Sequence, residues 1–83
     1  MRRIATYEIP PSMDFQIYMP EKARVTGVQV IGDKAFIVAV HPGGIVRPRL
    51  FKIVITGQDY PDIGVHAGTF KIRGNMFHLI DME

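Results

Sequence analysis

Arg24-Val25-Thr26-Gly27-Val28-Gln29-Val30-Ile31, then Gly32-Asp33, then Lys34-Ala35-Phe36-Ile37-Val38-Ala39-Val40-His41: these eighteen residues decide the fold class. Short runs rich in Val and Ile, bounded by turn residues, read as strands. A two-residue Gly-Asp break between two such runs reads as a tight hairpin, because glycine supplies the positive φ that the turn requires. In the second arm Phe36, Val38 and Val40 share one face and Ala35, Ile37 and Ala39 share the other. A strand apolar on both faces is predicted to be central and covered on both sides.

On the N-terminal side Phe15, Ile17 and Met19 alternate with Gln16 and Tyr18, the pattern of a half-buried strand, and Pro20-Glu21-Lys22-Ala23 reads as a turn. Residues 3–9 form a first strand stopped by Pro10-Pro11, which cannot donate to a ladder and so mark a turn or a sheet edge. On the C-terminal side Pro42-Gly43-Gly44 opens a loop to Arg47-Pro48, and Arg49 to Thr56 is the next strand. Gly57 to Gly64 is a polar loop. Val65 to Ile72 and Met76 to Ile80 are predicted to pair as a terminal hairpin around Gly74-Asn75. No stretch carries a sustained 3.6-residue apolar stripe with caps. The chain is therefore predicted to be all-β, a small antiparallel sandwich or open barrel of about seven short strands forming one domain over residues 1–83.

A chain of 83 residues buries only a little over ~60% of its unfolded surface, so its core is thin. With 47% hydrophobic residues, that predicts a homo-oligomer, in which stacked protomers bury what one cannot. Without cysteine the fold has no disulfide staple, which points to a reducing, cytoplasmic setting. No run approaches the ~18 apolar residues of a membrane span, so no membrane partner is expected. A net charge of +2 is too mild for a nucleic-acid footprint.

Catalytic machinery is not legible. Ser12, the only serine, lies in a Pro-rich turn, and neither a nucleophile elbow nor a glycine-rich nucleotide loop occurs. The chain is expected to be non-enzymatic, with no cofactor. His41, His66 and His78 have no close metal-ligand spacing, although the terminal hairpin would make His66 and His78 neighbours; they read as ordinary sheet histidines, and no metal site is expected. Asp59 and Asp62 flank Tyr60-Pro61 and read as turn residues.

The candidate ligand site is the stretch His41 to Arg49. Gly43 and Gly44 would let consecutive N–H groups point into one concavity that favours an anion. Arg47 and Arg49 fall on one side of an extended chain, where guanidinium groups grip phosphate with paired hydrogen bonds. Tyr18 and Tyr60 would offer rings for a base to stack on. The bland alternative is a glycine loop with solvated arginines. Arg2, Arg3, Lys22, Arg24, Lys71 and Arg73 read as dispersed charges.

Ile17 to Ala23, Val28-Gln29-Val30, Phe51 to Gly57, Gly68-Thr69-Phe70 and Phe77-His78-Leu79 occur in the order seen in one family. The sequence resembles this family of short uncharacterised proteins encoded by phages and prophages. The resemblance implies a β fold and a phage-type origin but no reaction. The leading expectation is a protein that captures a small anionic, nucleotide-like ligand, such as a host immune signal. One alternative is an interaction module that inhibits a host enzyme or belongs to a virion, docking through a β edge near Pro10-Pro11 or along residues 76–80. Another is a binder of single-stranded nucleic acid, the less expected partner.

Overall fold

The computed structural model describes residues 1–82. Seven strands follow in order: β1 (Arg3–Glu8), β2 (Asp14–Pro20), β3 (Arg24–Ile31), β4 (Lys34–His41), β5 (Val46–Ile55), β6 (Val65–Ile72) and β7 (Asn75–Asp81). All pairs are antiparallel, and they form two sheets, a three-stranded one in the order β1-β4-β3 and a four-stranded one in the order β2-β5-β7-β6. The Cα atoms span only 17 Å in the thinnest direction, room for two sheets about 10 Å apart and nothing more. The architecture is thus an open sandwich; the barrel does not close.

The deciding hairpin forms as read. Ile31 faces Lys34 across Gly32-Asp33, with Gly32 at φ 65°. The terminal hairpin is set one residue earlier than expected. Ile72 faces Asn75, so the turn is Arg73-Gly74, with φ of 51° and 81°. Both central residues of this turn type need positive φ, and the pair Gly74-Asn75 reads as the turn in sequence because both of its residues tolerate that region better than arginine does. β5 begins at Val46, three residues before the expected start, and runs through Pro48. Pro48 faces Tyr18 of β2, whereas pairing to β7 starts only at Phe51, so no second neighbour asks the proline for a donor.

The core lies between the sheets. β4 gives it Ile37 flanked by the small Ala35 and Ala39, and the four-stranded sheet gives it Met19, Phe51, Ile53, Phe70 and Leu79. Phe15 stacks on Phe51 and Phe70 on Phe77, with centroids 5.7 and 5.5 Å apart. β4 is central, as expected, but it is covered on one face only. Phe36, Val38 and Val40 are half-buried by their neighbours on β1 and β3, because a three-stranded sheet this small has no layer outside it.

The edge strands β3 and β6 carry bulges at Thr26 and Ala67 and approach one another there. Gly68 permits this approach: a Cβ on it would lie 2.9 Å from Val28 Cγ2 and 3.4 Å from Val28 N.

β5 and β6 both run antiparallel to β7, so they are parallel to each other and the chain between them must travel the length of the sheet. Residues 56–64 make that journey on the face turned away from the three-stranded sheet. This explains why Val54 and Ile80, which point to that outer face, are only 4% and 0% exposed. Gly64 rests so closely on Ile80 that a Cβ would stand 2.5 Å from its Cγ2. β7 is therefore an interior strand. The docking edge expected along residues 76–80 does not exist, while β1 and β2, on either side of Pro10-Pro11, are true edges.

Candidate functional site

Among the described residues, four of the ten Lys and Arg side chains are held in ion pairs: Arg47 with Glu21 (2.6 Å), Arg49 with Asp81 (2.6 Å), Lys52 with Asp14 (2.9 Å) and Arg73 with Asp33 (3.1 Å). Among the described residues, Arg2, Arg3, Lys22 and Arg24 have no carboxylate partner. Strand register gathers these four. Arg3 faces His41 and Arg24 faces Val40, so the start of β1, the start of β3 and the end of β4 meet at one end of the three-stranded sheet. Lys22 comes from the turn just before β3.

Adjoining hollows mark this end. Arg2, Lys22 and Arg24 line one of about 300 Å³ together with Val40, His41 and Pro42. Arg2 and Arg3 line a second of about 280 Å³ with Met1, His41, Pro42 and Gly43. A third, of about 360 Å³, runs along Glu21, Lys22 and Pro42 to Ile45. The loop is fixed by two bonds: Glu21 N–H donates to Ile45 O at 2.8 Å, and Gly43 N–H donates to His41 Nδ1 at 3.0 Å. The second bond leaves the ring proton of a neutral His41 on Nε2. Gly43 and Gly44 sit at φ 90° and 106°, which glycine alone adopts without strain. Chemically, this end presents clustered cationic donors that would bind phosphate or another multivalent anion.

Of the residues singled out in the sequence, His41, Gly43 and Gly44 lie at this end. The Gly43 N–H, however, is turned inward to His41 and is not one of a pair of donors facing outward. Arg47 and Arg49 do share one side, lining a neighbouring cleft of about 510 Å³ with Met19 to Ala23, but both already hold carboxylates. Arg49 also donates through Nη1 to Ala23 O at 2.5 Å. Tyr18 is exposed opposite Pro48 on the four-stranded sheet, and Tyr60 lies in the 56–64 crossing; neither borders the basic hollows.

Sequence reasoning missed Arg2, Lys22 and Arg24, which it read as dispersed. The signal was present for Arg24 and Lys22, through the β3–β4 hairpin, but not for Arg2 and Arg3, which arrive through the non-local pairing of β1 with β4. Counting back from the Gly32-Asp33 turn sets Arg24 beside the end of β4.

On the opposite sheet, His66 and His78 are neighbours, with Nε2 and Nδ1 3.0 Å apart. Among the described residues no group of three or more His, Asp or Glu side chains converges to hold a metal. No described helix is long and apolar enough to cross a membrane.

No curated protein and no solved structure matches the chain. A family model does match, over residues 1–83, and the chain belongs to that family, described as a domain of unknown function, DUF7352.

Proposed function

We propose that this protein is a non-catalytic binder of a small phosphate-bearing anion, held at the basic end of the three-stranded sheet by Arg2, Lys22 and Arg24 over the His41–Gly44 loop. The observation that carries this reading is the clustering of charge: among the described residues six Lys and Arg have no carboxylate partner, and four of them, Arg2, Arg3, Lys22 and Arg24, gather at this end, with Lys34 and Lys71 apart from it. Unpaired like charges repel one another, and an anion relieves that repulsion. The ligand class is nucleotide-like, since a phosphate supplies the charge and the apolar surfaces of Val40 and Pro42 suit a flat ring. Tight capture of such a signal in a host cytoplasm is the role that the resemblance to phage proteins and the absence of cysteine favour.

Self-association belongs to the same reading, because Ile4 and Ile31 are exposed beside half-buried Phe36, Val38 and Val40 on a face that no second layer covers. Light scattering would measure it directly.

The test is thermal unfolding with pyrophosphate, ATP and a panel of cyclic dinucleotides at low and high salt. Binding to the native state raises Tm by mass action, and the rise should shrink with salt. An unchanged Tm with every anion at millimolar concentration would overturn the proposal.

A further inference from the structure

We infer that His66, Thr69 and His78 form a second, independent site, one that takes a divalent late transition-metal ion on the outer face of the four-stranded sheet. Three atoms define it. His66 Nε2 and His78 Nδ1 are 3.0 Å apart, His66 Nε2 and Thr69 Oγ1 are 3.1 Å apart, and Thr69 Oγ1 and His78 Nδ1 are 3.0 Å apart. Two ligands at about 2.1 Å from a metal stand about 3.0 Å apart at a right angle and about 3.4 Å apart at the tetrahedral angle usual for zinc. The triangle therefore has the dimensions of one face of an octahedral or tetragonal shell, and tetrahedral zinc would open it by about 0.4 Å.

The local fold builds this triangle. Thr69 and His78 face each other across β6 and β7, and the extra residue Ala67 shifts the register so that His66 turns onto the same face. Thr56, just past the end of β5, stands 2.7 Å from His78 Nε2. When its oxygen accepts the Nε2 proton, the Nδ1 lone pair is left facing His66 and Thr69. A ligating histidine typically hands its other ring N–H to such an outer partner. The arrangement thus contains both the ligands and the group that selects the binding tautomer.

The donor set decides the ion. Imidazole nitrogens suit zinc, copper and nickel, and two of them with a hydroxyl and no carboxylate do not suit calcium or magnesium. His66 and Thr69 are exposed, so water would complete the shell and the ion would exchange readily.

The test is a Zn(II) titration of tag-free protein followed by imidazole ¹H–¹⁵N spectra. A saturable one-to-one change confined to His66 and His78, with His41 unmoved, is the expected result. His66→Ala should weaken Zn(II) binding by at least about tenfold and Thr69→Val by less. Equal perturbation of all three histidines, retention of binding in His66→Ala, or no saturable change in a large excess of Zn(II) would each overturn the site. The wild-type spectra decide the matter even if a variant fails to fold. A positive result is also independent of the anion reading, which uses other residues on the other sheet.

Discussion

Arg49 and Asp81 meet just inside the rim of the sandwich, Nη2 to Oδ2 at 2.6 Å and Nε to Oδ1 at 3.4 Å, with side chains only 18% and 12% exposed. The same guanidinium donates to Ala23 O, so one side chain ties β5, β7 and the turn before β3 together. Removing one partner of a largely buried pair leaves the other desolvated. Arg49→Ala should therefore cost about 3 kcal/mol, and Arg49→Lys, which cannot make the forked contact, should recover little of it. The double replacement Arg49→Met with Asp81→Leu should return close to wild-type stability. Urea denaturation of the three variants would show it, and an Arg49→Ala midpoint equal to wild type would contradict the account.

Gly68 and Gly27 lie near each other where β3 and β6 approach, yet their surroundings differ. A methyl on Gly68 meets Val28 within 3 Å, whereas one on Gly27 meets nothing within 4 Å. Gly68→Ala should destabilise the fold by roughly 1–3 kcal/mol through overpacking, and Gly27→Ala should be nearly neutral. Equal Tm values for the two variants would show that the approach of the strands is looser than described.

Arg73 holds φ 51° in the Arg73-Gly74 turn, a conformation that asparagine tolerates better. Its contact with Asp33 is exposed and worth little. Arg73→Asn is expected to raise stability by about 0.5 kcal/mol, the relief at the turn exceeding the lost surface pair. Thermal melts would read this as a small upward shift; a fall of several degrees would give the ion pair the larger weight.

At the basic end, Arg24→Gln and Lys22→Gln should each weaken pyrophosphate binding by about tenfold, the order of one charge-assisted contact. Arg47→Gln, which gives up a carboxylate rather than a ligand, should change it far less. Calorimetric titration separates these outcomes, and uniform weakening by all three would move the site to the neighbouring cleft.

Much of the fold was legible because side-chain alternation and turn chemistry are local. β3, β4 and β6 have the bounds their patterns announced, and Gly32-Asp33 sets its hairpin. Where a non-local neighbour decides, the sequence is silent. Pro48 could enter a strand only because β7 does not reach it, and Ile80 became buried only because a distant segment lies on it. The candidate site shows the same division. His41 and Gly43 were visible as a loop, but the cations beside them come from the start of β1, the start of β3 and the turn before β3, and Arg49 looked free until the fold set Asp81 against it.

The last strand is also the one that joins β5 to β6. While β7 is still being synthesised, those two strands have no partner between them, and the four-stranded sheet is two unconnected pieces. The three-stranded sheet and the β2–β5 pair can form without β7, but the four-stranded sheet becomes whole only when that strand slots between β5 and β6.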